Sequence, residues 1–324
     1  TTDYFTNYAI SYIEEYKDED KPFFLYLAYN APHDPLMAWP EDIAKYQGKY
    51  LKGYAAIRAE RYARQKTMGL VDPSMPLSAP THKDWDSLSE EKKIDEDLKM
   101  AIYAAMIDRV DQNIGRLLDT LKKCGRYDNT LILFTSDNGC SAENAETGRE
   151  GTGPRGSMTR WSSLLEDWAN VSNTPYRLFK NNSQEGGICT PFIAWWPQVI
   201  KNGGTINHDP AHFIDVMATL VDITGAPYPK EFNGGPIVPL QGISLLPVFQ
   251  GKPLPDRGKP LFWEWASGKA VREGKWKAVA IKDTWELYDM DVDRNETNDL
   301  AETQPEILKK MIALHEEWKQ STKG

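Results

Sequence analysis

Asp137 and Asn138 are neighbouring side chains whose oxygen atoms are of the kind that hard cations bind. They follow the apolar run 131–135 and precede Gly139, whose missing side chain allows a sharp backbone turn. A carboxylate beside an amide carbonyl suits Ca²⁺, but Asp-Asn-Gly is also common in turns that bind no metal. Because two ligands do not hold a calcium ion, a metal site here requires further ligands from elsewhere.

Three basic side chains occupy positions suited to an anionic group. His33 lies in a turn bounded by prolines, where imidazole can act as an acid, a base or an anion donor. Lys180 lies between apolar residues and the pair Gly186-Gly187, and its ammonium group suits a tetrahedral oxyanion. His212 precedes a predicted helix, so capping or packing is the alternative to substrate binding. Each signal is weak alone, since most histidines and lysines are structural or solvated.

Apolar runs and periodic segments predict an α/β fold that positions these residues. Unbroken apolar runs are typical of strands covered on both faces of a mostly parallel sheet, and they occupy residues 23–28, 131–135 and 192–196. A period of about 3.6 residues predicts flanking helices, one over 3–16, a long one ending at Gly125 and a short one ending at Gly225. In open sheets of this kind, ligands bind beyond the carboxyl ends of the strands, where Asp137 is expected.

The remaining segments predict two loops and a second domain. Residues 45–95 are polar and irregular, which predicts a lid or surface excursion, and 141–173 reads as a long loop over the site. The character changes at about residue 255, after which short strand-like pieces precede a terminal helix. We therefore predict an α/β domain over 1–254 and a small antiparallel sheet with a helix over 255–324.

Composition excludes several classes of protein. The 324 residues include 38 basic and 47 acidic side chains, which gives a formal net charge of −9 and no long basic run. A nucleic-acid partner is therefore not expected, although a bound cation and one lysine can still attract an anionic small substrate. Three scattered cysteines do not form a disulfide framework or a zinc site. No apolar stretch has the length of a membrane span.

Five motifs are distributed over nearly the whole chain. They read FFLYLAYNAPHDP at 23–35, YAAMIDRVDQNIGRLLDTL at 103–121, FTSDNG at 134–139 with Glu143 after it, WANVSNTPYRLFK at 168–180 followed by EGGI, and ELYDMDVDRNETNDLAE at 286–302. Together they closely resemble the arylsulfatases of the type-I, formylglycine-dependent sulfatase family.

This resemblance implies an alkaline-phosphatase-like α/β fold with a smaller C-terminal subdomain. It also implies cleavage of a sulfate monoester by a formylglycine hydrate at a calcium site, with a sulfated small molecule or glycan as the partner. Asp137 and Asn138 would be calcium ligands, Lys180 would bind the sulfate group and bridging oxygen, and His33 would bind sulfate or assist the leaving group. A periplasmic, secreted or lysosomal location would follow from the family.

The family nucleophile is absent from this sequence. Formylglycine is made within Cys/Ser-x-Pro-x-Arg, and the nearest match begins at Cys189 but has Ile193 in place of the arginine. The aspartate pair that completes the family's calcium site belongs to the N-terminal part of the pattern and is also missing. We therefore expect the chain to be the C-terminal part of a sulfatase whose N-terminal segment supplies these groups. Alone, it is predicted to be inactive and to bind calcium weakly.

Two alternatives stay open at this stage. A phosphodiesterase or phosphonate monoester hydrolase of the same superfamily makes similar demands, because sulfuryl and phosphoryl groups are both tetrahedral anions. A non-catalytic binding protein derived from a sulfatase is the second alternative.

Overall fold

Helices α1 and α4 pack together at the N-terminal side of the computed structural model, which describes residues 1–149 and 151–322. They span Thr2–Glu15 and Glu90–Lys123. The Ser89 side chain accepts a hydrogen bond from the Lys92 amide at the start of α4, and Gly125 follows its end with a left-handed φ of 68°. Both predicted helices are confirmed, as is the glycine that ends the second.

The main hydrophobic cluster lies between α4 and three shorter helices. Helix α2 spans Pro40–Ala44, α3 spans Gly53–Thr67 and α5 spans Leu165–Ser172. Trp168 is fully buried there, and its indole N–H donates to the Glu96 carbonyl at 2.9 Å. The buried members of the cluster are Leu36, Tyr54, Ile102, Met106, Leu164, Trp168 and Val171.

Helix α3 corrects the prediction that 45–95 is irregular. Its buried side chains, Tyr54, Arg58 and Tyr62, recur every four residues, but one of them is a cation. Arg58 Nη2 donates to the carbonyl and the hydroxyl of Ser78, both at 2.7 Å, whereas its buried Nε has no hydrogen-bond partner among the described residues. An arginine in the buried stripe conceals the helical pattern. The predicted loop over 141–173 is likewise interrupted, because α5 lies near its end.

The first sheet differs from the predicted parallel arrangement. Strand β1, Ile132–Thr135, pairs antiparallel with β2, Phe192–Trp195, so that Ile132 faces Trp195 and Thr135 faces Phe192. In the described ranges, every paired strand is antiparallel, and 23–28 forms no strand. An apolar run indicates an extended segment but not the direction of its neighbour, so the parallel pairing expected from these runs is not found between β1 and β2.

The C-terminal sheet matches its prediction. Four consecutive antiparallel strands run in sequence order, β5 to β8, and α9 packs against them. Val271, Ala278, Leu287 and Met311 form one buried cluster between the sheet and the helix. The strands are Leu261–Trp265, Gly268–Glu273, Trp276–Ile281 and Thr284–Asp289, and α9 is Pro305–Ser321. A domain boundary at 255 stays a prediction.

Shorter elements complete the fold. Helices α6, α7 and α8 span Glu185–Ile188, Phe213–Thr224 and Leu246–Phe249, while β3 and β4, Glu231–Phe232 and Gly235–Pro236, form a hairpin. Two single turns of 3-10 helix occupy Trp85–Ser87 and Tyr127–Asn129. Across 1–149 and 151–322, no helix combines the length and apolar character needed to cross a bilayer.

Candidate functional site

The turn after β1 carries Asp137 and Asn138. The Asn138 amide donates to Asp137 Oδ1 at 3.0 Å, and the Ser136 hydroxyl donates to the Asn138 carbonyl at 3.0 Å. The Asp137 side chain is exposed and Asn138 is half-buried. Both oxygen-bearing side chains therefore lie at the end of a strand in a turn that is fixed by its own hydrogen bonds.

Backbone hydrogen bonds attach this turn to the loop that carries Lys180. The Gly139 amide donates to the Gly187 carbonyl at 2.9 Å, and the Lys180 amide donates to the Cys140 carbonyl at 3.0 Å. A Cβ atom at position 139 would lie 1.8 Å from the Gly186 carbonyl oxygen, so only glycine permits this approach. The two segments named by the sequence are thus held together through their backbones.

His33 and Lys180 come together although 147 residues separate them: Lys180 Nζ lies 2.9 Å from His33 Nε2. His33 Nδ1 lies 2.9 Å from the Asp34 carbonyl, which only accepts, so Nδ1 carries the proton and Nε2 accepts from the ammonium. The imidazole ring and the lysine ammonium group therefore lie side by side at the surface. The structure brings together two of the predicted site residues.

Glu143 completes this cluster from the loop after β1. Lys180 donates to Glu143 Oε2 at 3.0 Å, and the Asn181 amide donates to Oε1 at 3.1 Å. These hydrogen bonds, from Asn181 and then Lys180, lower the pKa of Glu143 below its ordinary value. An ionised carboxylate thus neutralises Lys180, and any anion that binds the ammonium must displace or share this contact.

Asp34 lies behind His33 and has an unusual environment. Burial raises its pKa to about 6, against the lowering effect of the Leu164 amide and the His33 ring. Among the residues described, Oδ2 is a buried atom with no hydrogen-bond partner. The missing partner and the burial have the same consequence, since both disfavour the ionised form.

A buried ion cluster beneath the Gly-Gly turn was not predicted from the sequence. Lys277 Nζ donates to Glu185 Oε1 at 2.6 Å and to Glu296 Oε1 at 2.8 Å, and the Glu185 amide donates to Glu296 Oε2 at 3.0 Å. Burial opposes the charge of Lys277, but the two carboxylates outweigh it and raise the pKa of the lysine. The one signal for it in the sequence was a lone lysine within the apolar strand β7.

His212 lies elsewhere, at the start of α7. Its Nδ1 accepts from the Ile214 amide at 3.2 Å, and its own amide donates to Asp215 Oδ2 at 2.8 Å. Burial lowers its pKa, which keeps the ring neutral and able to accept. The capping interpretation is confirmed. Within the described chain, its hydrogen bonds do not reach His33 or Lys180, and a role in substrate binding stays a prediction.

The described residues alone do not make a complete calcium site. Asp137 and Asn138 supply two oxygen ligands, whereas calcium takes about six to eight. In residues 1–149 and 151–322, no group of three or more His, Cys, Asp or Glu side chains converges on one point. The donor chemistry fits calcium, but its number does not, so the remaining ligands would have to come from outside these residues.

Comparison with known families places these features in context. A family profile described as Sulfatase matches residues 1–226, and one described as N-sulphoglucosamine sulphohydrolase, C-terminal, matches residues 176–323. The first contains His33, Asp137, Asn138 and Lys180. The second contains the C-terminal sheet and α9.

Two curated relatives match over most of this chain. An uncharacterized sulfatase of Schizosaccharomyces pombe is 33% identical over 95% of the chain and 60% of its own length. An arylsulfatase of Klebsiella aerogenes is 34% identical over 72% of the chain and 53% of its own length. The chain thus spans little more than half the length of these relatives.

Solved structures share the fold. The crystal structure of Ps i-CgsB in complex with k-i-k-neocarrahexaose is 25% identical, has a TM-score of 0.63, and covers 98% of this chain and 54% of that chain. The phosphonate monoester hydrolase of Agrobacterium radiobacter is 19% identical, has a TM-score of 0.57, and covers 95% and 60%. The second likeness concerns the fold alone. The predicted alkaline-phosphatase-like α/β class is confirmed, although the described strands pair antiparallel.

Proposed function

The chain belongs to the sulfatase family, and on this basis we propose that the whole protein hydrolyses a sulfate monoester. The observation that carries the proposal is the 2.9 Å contact between Lys180 Nζ and His33 Nε2, in the loops that the family profile spans. Cleavage of a sulfate ester needs charge stabilisation on the sulfuryl oxygens and on the departing oxygen. A lysine and a histidine that lie this close together can provide it.

Each residue has a distinct role in this proposal. Lys180 binds a sulfuryl oxygen and the bridging oxygen as a point charge. The sulfate group then takes the place of Glu143 as the partner of the ammonium group. His33 directs Nε2 into the site because Nδ1–H is held by the Asp34 carbonyl, so a proton gained at Nε2 can pass to the leaving oxygen. Asp137 and Asn138 contribute two ligands to Ca²⁺, which when bound would stabilise negative charge on sulfate.

We further propose that the nucleophile and the other calcium ligands lie in a segment outside these 324 residues. No Cys/Ser-x-Pro-x-Arg motif is present, so formylglycine is expected in that segment. Exposed apolar side chains support the proposal, because an uncovered apolar face is unfavourable in water. They lie on 23–28 and on the β1–β2 pair: Phe24 and Tyr26 are 76% and 81% exposed, and Phe134, Ile193 and Trp195 are exposed too.

A sulfated small molecule or glycan is the proposed substrate. The crystallised relative bound to k-i-k-neocarrahexaose supports a sugar as the organic group. The acidic chain carries no long basic run and gives no support to a nucleic-acid partner. A periplasmic, secreted or lysosomal compartment is proposed from the family.

The test measures the hydrolysis of different esters by the protein expressed from the complete gene. We expect hydrolysis of 4-nitrophenyl sulfate, and Lys180→Ala should lower kcat/KM by about 100-fold or more, since it removes the charge that binds the sulfuryl oxygens. Lys309→Ala, on the exposed face of α9, is the control and should change it by less than about twofold. The 324-residue chain alone should show no turnover, and appreciable hydrolysis by it would contradict the segment proposal.

The two alternatives predict different results in the same assay. Faster cleavage of a phosphonate monoester than of the sulfate would favour the phosphonate hydrolase whose fold the chain shares. Binding of inorganic sulfate that depends on Lys180, with no ester cleaved by the whole-gene product, would favour a non-catalytic binding protein.

A further inference from the structure

The hairpin between β5 and β6 holds an exposed tryptophan at its tip. Trp265 pairs with Gly268 across a two-residue turn, Ala266-Ser267, in which Ala266 has a left-handed φ of 51°. The side chain of Trp265 is 70% exposed. An indole offers a large apolar face, and burying such a face is favourable in water.

This hairpin is docked on the loop that follows Lys180. A Cβ atom at Gly268 would lie 2.9 Å from the Ser183 amide nitrogen and 3.2 Å from the Asn181 carbonyl oxygen. The absence of a side chain at 268 therefore lets the hairpin backbone contact residues 181–183. The small C-terminal sheet thereby contributes its first turn to the rim of the candidate site.

One hydrogen bond fixes the direction of the indole. Trp265 Nε1–H donates to Asn181 Oδ1 at 2.9 Å, and the same amide donates through Nδ2 to Glu143 Oε1 at 3.1 Å. Glu143 contacts Lys180, which contacts His33. A continuous chain of side-chain hydrogen bonds thus connects the indole with the predicted sulfate-binding groups. The single polar atom of the indole is satisfied, so its apolar faces are what it offers to a ligand.

A tryptophan that only stabilised the hairpin would gain most by lying flat on the sheet. Instead, Trp265 is exposed, oriented by a polar contact and connected to the anion-binding lysine. Aromatic faces of this kind stack on aryl rings, and they offer the same apolar surface to the C–H face of a pyranose. Glu143 and Asn181, beside it, provide polar groups for the substituents of such a ring.

We propose that Trp265 is a specificity-determining residue whose indole face stacks on the ring of an ester with its sulfate group at Lys180. This inference rests on the proposed function. It assigns part of substrate selection to the C-terminal sheet, which contributes none of the groups predicted to bind sulfate. Esters without a ring gain nothing from Trp265, and this provides the measurable contrast.

The experiment uses three probes with the whole-gene product: 4-nitrophenyl sulfate, galactose 6-sulfate and inorganic sulfate. Trp265→Ala should raise KM for one or both ring-bearing esters by about tenfold, equivalent to the ~1.4 kcal/mol of one stacking contact, and leave the inhibition constant of inorganic sulfate within about twofold. Trp265→Phe should restore most of the loss. The two esters distinguish an aryl site from a pyranose site.

The matched control is Trp39→Ala, which removes another exposed indole hydrogen-bonded to a side chain, that of Asp3. It should not alter the ratio between ring-bearing and ringless probes. If no sulfate ester is hydrolysed, the proposed function fails, and the same probes are titrated by calorimetry with the same dependence on Trp265 expected. Equal effects on all probes, or no effect on any, would overturn the proposal by either readout.

Discussion

The orientation of each side chain at the candidate site is set by its nearest hydrogen-bond partners. His33 presents Nε2 because its other nitrogen donates to the Asp34 carbonyl, and Lys180 is held between that ring and Glu143. Asp34 differs from these groups, since burial disfavours its charge and raises its pKa to about 6. Its ionisation therefore reports on the packing behind His33 without requiring any ligand.

The pH dependence of stability tests the environment of Asp34. Because its pKa is about 6 in the folded protein and 3.8 ordinarily, the folded state retains a proton that the unfolded state releases between these values. Stability should therefore rise as pH falls from about 7 to about 4, by at most about 3 kcal/mol and less because part of the group reaches solvent.

Urea unfolding at several pH values, for wild type and Asp34→Asn, isolates this contribution. The free energy of unfolding of the wild type, minus that of Asp34→Asn, should rise as pH falls from about 7 to about 4. The contributions of all other carboxyl groups cancel in this difference. Parallel stability curves for the two proteins would show that Asp34 has an ordinary pKa.

At the scale of elements, the site depends on the close approach of two turns. The 137–140 turn and the Gly186-Gly187 turn are bonded through their backbones, and no side chain fits between them at position 139. Strand β1 leads into the first turn and α6 forms the second. Glycine is thus required here for space, since its φ is not left-handed.

Gly139→Ala should destabilise the protein by about 1 to 3 kcal/mol, because the added methyl group overlaps the Gly186 carbonyl and must push the turns apart. Gly115→Ala is the matched control: this glycine lies in α4, a Cβ atom added there would have nothing within 4 Å, and alanine should stabilise by roughly 0.5 to 1 kcal/mol. Thermal unfolding measures both. Equal effects of the two substitutions would contradict the close approach.

At the scale of the whole molecule, the C-terminal sheet is bonded to the segment that carries Gly186-Gly187. Lys277 on β7 binds Glu185, which begins α6 and the Gly-Gly turn, and Glu296, which follows the sheet. All three side chains are buried, so the cluster has no access to solvent that could replace a lost partner. Packing of the sheet and geometry of the site are therefore coupled.

Lys277→Met should destabilise the protein by about 3 to 5 kcal/mol, because it leaves two carboxylates buried without a cation. Adding Glu185→Gln and Glu296→Gln should recover part of this loss by removing the unpaired charges. The control is Lys269→Met on the neighbouring strand β6, whose partner Asp283 is 93% exposed, and it should change stability little. Chemical denaturation distinguishes them, and equal losses in the two lysine variants would exclude a special role for the buried cluster.

Local patterns in the sequence were sufficient for α1, α4 and the C-terminal sheet with α9, because their periodicity and ending residues act within a few positions along the chain. The same patterns failed for 23–28, which forms no strand, and for α3, whose buried Arg58 conceals the helix. An apolar run indicates that a segment tends to be buried. It does not indicate which other segment will cover it or whether the two will pair as strands.

Residue types and short motifs were enough to identify the family, and to predict which side chains bind an anion and which two oxygen ligands follow β1. Folding added three contacts that no motif contains. His33 contacts Lys180 across 147 residues, Glu143 accepts a hydrogen bond from the Lys180 ammonium group, and Trp265 donates to Asn181 beside it. The difference arises because residue type and local period depend on neighbours in the chain. Contacts between distant loops depend instead on how strands pair and on which backbones can approach, as at Gly139 and Gly268.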